Sequence, residues 1–446
     1  MNKQLTQTII LIIVLIAILL MMFPGNVEAR KVVTISAGGT HALALMDDGT
    51  VYAWGSDMYG QLGTGGPVVT PQFSAPHRTL EKVLIDNVTA VSAGWLISLA
   101  LKDDGTVWAW GCGMSGLYGG LSNGDMNSSS VPVQVKGLTD ITAISTGNSA
   151  SYALKNDGTV WAWGVNKYGS VGDGTTEDRR RPVQVTGLTD IVALGERGNY
   201  AIRGDGTVWA WGYNTYDVDG EDVIWGILGD SSGPGIRPTP FQVQGVGDVT
   251  QITGGTTGHT LYIKKDGSVW AWGLNNVGQL GDGNMRSVRP PPVTFPSVRT
   301  QVSDVKEVST GGSNCMALKN DGTVYTWANL VGDNKATPTK VKDLSNVVDI
   351  SAGGSIFDLA LKDDGSIWGW GWDQDKGVLG NNKEKEYNPV LIFPGEAQAT
   401  PTETQGTITP VTVTPGQSPG MGFGTILAAA VAMIGAYAII DRRRKK

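Results

Sequence analysis

Asp104-Gly105-Thr106-Val107-Trp108-Ala109-Trp110-Gly111 decides the fold, because close copies of it begin at Asp48, Asp157, Asp205, Asp266, Asp321 and Asp364. The seven copies stand 56, 53, 48, 61, 55 and 43 residues apart. A fixed element returning at intervals of about 50 residues marks a repeat architecture, in which one unit cannot bury its apolar face alone. Asp-Gly predicts a β-hairpin with a two-residue type I′ turn, since Gly105 tolerates the positive φ that such a turn demands. Leu99-Ala100-Leu101 leads into the turn and Val107-Trp108-Ala109-Trp110 returns from it. Side chains alternate across a strand, so Trp108 and Trp110 share one face while Val107 and Ala109 share the other. Of the 15 tryptophans, 12 lie inside the copies, which assigns most of them to the core.

A second signature precedes the hairpins: Ser36-Ala37-Gly38-Gly39, Ser92-Ala93-Gly94, Ser309-Thr310-Gly311-Gly312 and Ser351-Ala352-Gly353-Gly354. Ahead of it comes a β-branched run such as Ile141-Thr142-Ala143-Ile144. Each repeat therefore holds about four short strands joined by Gly-rich turns, which is one blade of an all-β propeller.

Together with Gly38-Gly39-Thr40-His41-Ala42-Leu43-Ala44-Leu45 and Asn275-Asn276-Val277-Gly278-Gln279-Leu280-Gly281-Asp282-Gly283, the hairpin copies make the chain resemble the regulator of chromosome condensation repeat family. The resemblance covers about residues 31–395 and implies a seven-bladed β-propeller, expected over residues 30–395. The family's His position holds His41 and His259, but Ile97, Ala150, Gly198, Asn314 and Phe357 elsewhere, so that His is no shared catalytic feature. Repeat six has Trp327-Ala328 for Trp-Gly and lacks Gly-Gln-Leu-Gly. Thr64–Lys82 in repeat one and Tyr213–Gly235 in repeat four are read as insertions, the places for partner-specific surface.

The ends carry a different composition. Ile9–Phe23 is apolar and Val27-x-Ala29 has the small-residue shape of a signal-peptidase site, so residues 1–29 are expected to be a cleaved secretory signal. Residues 396–420 are rich in Thr, Pro, Gln and Gly and are expected to form an extended stalk. Residues 421–440 are uncharged and long enough to cross a bilayer, and residues 441–446 end in Arg442-Arg443-Arg444-Lys445-Lys446, which favours a cytoplasmic tail and an extracellular propeller. This tail resembles the carboxy-terminal sorting signals of archaeal surface proteins, read by archaeosortase-type transpeptidases, although Pro419-Gly420 is followed here by Met421-Gly422-Phe423. Whether the segment is kept as a span or exchanged for a lipid, the expected location is extracellular and anchored.

Net charge is −7, and without the tail's five cations and Asp441 it becomes −11. An acidic body does not attract phosphate backbones, which argues against nucleic acid as a ligand. Cys112 and Cys315 stand in repeats two and six, too far apart around a seven-membered ring for a disulfide, so two buried free thiols are expected. With His41, His77 and His259 scattered, no zinc motif is formed.

Asp217, Asp219 and Asp222 are the candidate calcium ligands, with a solvated acidic loop as the alternative. Gly172-Asp173-Gly174 and Gly281-Asp282-Gly283 read as turns whose Asp caps local amides, and Glu177–Arg181 as a solvated connector before Pro182. Asn87-Val88-Thr89 and Asn127-Ser128-Ser129 are N-glycosylation acceptors by pattern. No catalytic grouping stands out and no cofactor is expected.

These features point to a non-enzymatic, surface-anchored propeller that binds a protein or glycan partner through loops on one rim. A secreted lyase or hydrolase acting on surface polysaccharide is the alternative, since fold does not fix function. Guanine-nucleotide exchange at chromatin, the family's best-known role, is opposed by the export signals and the acidic body.

Overall fold

The computed structural model describes residues 30–395 apart from 67–75, 114–126, 148, 219–220, 231–232, 234, 286–296, 329–334, 355–356, 374–375 and 382, and leaves the side chains of 216–225 undescribed. The expected leader, stalk, apolar segment and basic tail all lie outside the described residues. Seven four-stranded antiparallel sheets follow one another as blades 1 to 7: Val32–Lys82, Val88–Gln134, Ile141–Gln184, Ile191–Gln242, Val249–Arg299, Val305–Lys340 and Val347–Pro394. Within each blade the spatial order of strands is the chain order, so every blade is one contiguous segment. The chain is thus an all-β, seven-bladed propeller.

The hairpin turn differs from the expected one. Gly49 has a φ of 78° but Asp48 keeps a negative φ, and a type I′ turn requires both to be positive. Gly49 N donates to Met46 O (3.0 Å) and Met46 N to Thr50 O (2.9 Å), which is a three-residue loop: a type I turn closed by a left-handed glycine. The cause is the aspartate side chain. Asp48 Oδ1 accepts from both Thr50 N (3.0 Å) and Thr50 Oγ1 (2.6 Å), and the same two bonds recur in all seven copies. In blade 2 the bonds from Thr106 hold the Asp104 carboxyl below its usual range.

The two faces of the returning strand pack as the alternation requires. Trp110, with Trp108 beside it, packs back onto Leu43, Leu45 and Ala53 of blade 1, whereas Val107 and Ala109 receive Trp163 of blade 3. Large meets small at all seven junctions, and the ring closes with Trp54 of blade 1 against Phe357 and Leu359 of blade 7. In five of the seven hairpins the last tryptophan is also held by its ring nitrogen. Indole N–H groups donate to the preceding blade from Trp54 to Val378 O (2.9 Å), Trp110 to Gln61 O (2.9 Å), Trp211 to Ser170 O (2.9 Å), Trp272 to Ile227 O (3.0 Å) and Trp327 to Gln279 O (2.9 Å). Each acceptor is the second residue of Gly-Gln-Leu-Gly or its local variant. The motif's last glycine leaves room for the ring, since a Cβ on Gly63 would lie 2.7 Å from Trp110 Nε1.

Gly226-Ile227-Leu228-Gly229 is therefore blade 4's copy of that motif, and the insertion read as Tyr213–Gly235 contracts to a hairpin, Thr215–Val218 paired with Glu221–Trp225. His77–Lys82 likewise is no insertion; it is the fourth strand of blade 1. Arg179–Gln184 is the fourth strand of blade 3, so Glu177–Arg181 runs into a strand and is no simple connector, and Arg179 Nε lies 2.5 Å from Asp173 Oδ2. The propeller begins and ends at one place: a Cβ on Gly365, in the Asp-Gly turn of blade 7, would lie 3.0 Å from Lys31 Cγ and 3.6 Å from Gly395 Cα.

Trp110→Ala should cost about 3–5 kcal/mol, the range for emptying a buried aromatic site. Trp108, half-buried and stacked under Lys102 at 5.3 Å, should cost clearly less as Trp108→Ala. Guanidinium unfolding of the two variants checks this, and equal losses would refute the assignment of Trp110 as the interblade joint.

Candidate functional site

Length varies at one end of the blades. The connections from second to third strand contain three or four residues, whereas those from third to fourth contain between 11 and 24. In an antiparallel sheet of this order, the variable connections share an end with the turns from first to second strand. That end is the rim built from the Ser-Ala-Gly-Gly signature, and the site is on it.

The rim is made of glycines because neighbouring backbones touch there. Thr256 N donates to Gly311 O (2.9 Å), Gly312 N to Gly353 O (3.3 Å), Gly354 N to Gly38 O (3.0 Å) and Gly39 N to Gly94 O (2.9 Å), which links blades 5, 6, 7, 1 and 2. A Cβ on Gly38 would lie 2.7 Å from Gly94 O, so the contact excludes a side chain. Below the glycines, Ser36 Oγ accepts from Ala93 N (2.9 Å), Ser309 Oγ from Ala352 N (3.0 Å) and Ser351 Oγ from Ala37 N (2.9 Å). The signature is thus an interblade stitch.

Blade 4 departs from it. In blade 1, Ile35 pairs with Ala44 and leaves eight residues for the turn; in blade 4, Leu194 pairs with Ala201 and leaves six. Three residues past the first member of that pair, six blades have glycine (Gly38, Gly94, Gly147, Gly255, Gly311 and Gly353) and blade 4 has Arg197. Arg197 has a φ of 55°, a left-handed conformation that is uncommon and costly for a residue with a side chain. The shortened turn opens a notch of about 390 Å³ between blades 3, 4 and 5.

Its walls come from three repeats: Ser149 and Tyr168 from blade 3, Arg197, Asn199, Tyr213 and Thr215 from blade 4, and Thr256 and His259 from blade 5. Tyr168 and Tyr213 stack at 4.7 Å between ring centroids with a 32° tilt, and Lys167 Nζ lies 5.2 Å from the Tyr168 ring. Arg197 Nη2 reaches towards Gly38 O on the far side of the mouth at 3.5 Å. Burial lowers the Arg197 guanidinium to about 10, a shift that Glu196 opposes, so it stays cationic at neutral pH. No carboxylate is among the described lining residues.

Arg197 also caps the lumen, a cavity of about 170 Å³ lined by the first strands. Gln251 Oε1 accepts from Val308 N (2.8 Å), Glu307 Oε1 from Ile350 N (3.1 Å), and Asp349 Oδ2 from Ile35 N (2.8 Å) and Thr34 Oγ1 (2.6 Å). Glu196 stands in the same lumen, ringed by protein yet wetted. Desolvation holds Glu196, Glu307 and Asp349 above the usual carboxylate range, and the Asp349 charge adds to the rise of the first two. Glu307 and Asp349 are staples between blades, and among the described residues no group of three His, Cys, Asp or Glu side chains is placed to hold a metal.

Of the residues singled out from sequence, Asp217 and Asp222 pair across the blade 4 hairpin, and Asp219 lies outside the described residues. Asn87 and Asn127 are both exposed. Asn87 has a φ of 61°, as do its counterparts within a few degrees (Asp140 60°, Asp190 59°, Asp248 57°, Asp304 61° and Asn346 59°), so it is also a turn residue. Asp173 and Asp282 cap the local amides of Thr175 (3.0 Å) and Asn284 (3.1 Å) as expected. The His position is an interblade contact: His41 Nε2 lies 2.8 Å from Ser98 Oγ, His259 Nε2 lies 3.2 Å from Cys315 Sγ, and Asn314 Nδ2 donates to Asp358 Oδ1 at 2.5 Å. Burial holds both imidazoles neutral, with pKa values near 3. Cys112 and Cys315 are buried, and neither is in a disulfide. Arg197 and Tyr168 were missed, although the absence of glycine from one of seven rim positions is a signal the repeats contain.

An RCC1-like domain family model matches residues 18–329, which includes most of blades 1 to 6; blade 7 lies beyond the match and has the same fold. Human E3 ubiquitin-protein ligase HERC2 is 31% identical over 302 residues, 66% of this chain but 5% of that protein. The Arabidopsis thaliana ultraviolet-B receptor UVR8 is 29% identical over 382 residues, 82% of this chain and 71% of that protein. Among solved structures, Saccharomyces cerevisiae Prp20p, described with its binding to Gsp1p and histones, aligns with a TM-score of 0.58 at 21% identity, over 72% of this chain and 80% of that one.

Asp358 supplies a pH test of the interblade contacts. Its side chain is fully buried, its Oδ2 has no partner among the described residues, and burial lifts its carboxyl to about 7 against hydrogen bonds from Asn314 and Trp370. A raised carboxyl contributes stability that is complete below its ordinary range near 4 and is lost as pH rises through 7. Asp358→Asn should therefore be about 2–4 kcal/mol more stable than the parent at pH 8 and nearly equal at pH 4. Denaturant unfolding at the two pH values measures the difference; a pH-independent difference would show that Asp358 is ionised throughout.

Proposed function

Because the chain belongs to the RCC1-like domain family, we propose that it is a non-catalytic binding module that grips a protein or glycan partner at the notch of blade 4, displayed at the cell surface on its carboxy-terminal segment. One observation carries the proposal: at a rim position that is glycine in six blades, the seventh presents an arginine on a strained backbone above an open cleft. Strain of that kind persists where surrounding structure holds it and clusters at functional sites.

The relatives support a binding role in general terms. Prp20p is described by what it binds and UVR8 as a receptor, while this chain spans only 5% of HERC2, so the ligase activity in that name is not carried over. The surface location is supported by the apolar amino terminus, the Thr/Pro-rich stretch and the uncharged segment before the final basic cluster. The lyase or hydrolase alternative needs paired titratable groups in the cleft, and the described lining offers Arg197, tyrosines and a neutral His259.

Arg197→Gly restores the residue of the other six blades and should leave the unfolding midpoint nearly unchanged or raised. It should lose partners that the parent crosslinks in surface extracts, whereas Val33→Ala, at the far end of an inner strand, should keep them. Retention of the same partners by Arg197→Gly would overturn the notch as the binding site.

A further inference from the structure

The notch itself points to a ligand class. We propose that it is a receptor for a carboxylated sugar, a uronic-acid residue of an anionic glycan; this rests on the binding-module function just stated and names what the module holds.

The charge argument comes first. A guanidinium has five donors in a planar fork that matches a carboxylate. Arg197 uses one of them, in a long contact of 3.5 Å to Gly38 O, and its neighbour Glu196, whose carboxylate acts on its charge, forms no ion pair with it among the described residues. A cation held among protein atoms with most of its donors unspent is a site for an incoming anion.

The remaining lining selects among anions. Ser149 and Thr256 offer hydroxyls with no protein partner among the described residues, and Tyr168 remains 39% exposed beside Tyr213. Hydroxyls and an aromatic wall, in a cleft that Arg197 also lines, suit a polyhydroxylated ring that bears one carboxylate. An acidic peptide laid along the rim would need free backbone donors and acceptors to pair with. On the blade 5 wall those donors are already spent: Gly254 N on Glu196 O (2.9 Å), Gly255 N on His259 O (2.8 Å) and Thr256 N on Gly311 O (2.9 Å). The hydroxyls and the aromatic wall are what favour the glycan over peptide and phosphate.

The test is titration calorimetry of the full chain with three probes: a galacturonate oligosaccharide, its methyl ester, and an oligoglutamate peptide of matched charge. The galacturonate should bind, the neutral ester about tenfold or more weakly, and the peptide no better than the ester, as expected for loss of a charge-assisted contact. Arg197→Gly should lose at least about tenfold on galacturonate and nothing on the ester. Tyr168→Ala, distant from the rim turn, should weaken both sugars and covers the case in which Arg197→Gly does not fold. Peptide binding equal to galacturonate, or galacturonate binding unchanged in Arg197→Gly, overturns the sugar assignment. If no sugar binds but Arg197→Gly still loses its crosslinked partners, the sugar assignment falls and the binding module stands.

Discussion

The ring depends on one joint used seven times: a tryptophan from each blade fills the alanine and valine face of the blade before it, and in five of the seven its indole N–H is bonded to a backbone carbonyl there. Neither half of the joint is complete alone. A blade without its predecessor exposes two large aromatic rings, and one without its successor exposes a shallow face with nothing to fill it. Because every blade is a contiguous segment, the ring is closed by the same joint that holds its interior together, not by a strand shared between first and last blades. Regularity at the joints is what allows irregularity on the rim.

Most of the scaffold was legible because it is repeated. Asp-Gly, the Trp alternation and the spacing of copies led to the right architecture, and the buried state of Cys112 and Cys315 followed from their places in the ring. The turn type was misread because the Asp48 side chain competes for the backbone amide of Thr50, a local bond that a Gly-centred rule does not consider. The insertion in blade 4 was drawn too long because Ile227 stands where Gln is usual, hiding a motif whose function is performed by a carbonyl and so tolerates any side chain.

The notch was harder for a different reason. Arg197 becomes conspicuous only when strand register aligns the repeats, since its turn is two residues shorter than that of blade 1 and shifts the text on either side. Tyr168 and Tyr213 come from neighbouring repeats, and nothing local announces that they stack. Charge is sorted along the axis as well: the Arg197 guanidinium reaches across the rim, while Glu307 and Asp349 hold the inner wall from within. An acidic protein thus presents a cation at a mouth of its rim.

Lys31 and Gly395 meet at the Asp-Gly end of blade 7, and the notch lies at the opposite end of the sheets. Both ends of the described residues therefore leave the ring at one place, at the end of the sheets away from the variable rim. A force applied between the rim of blade 4 and that place would cross the joints between blades, which places mechanical strength in the same tryptophans that set the fold.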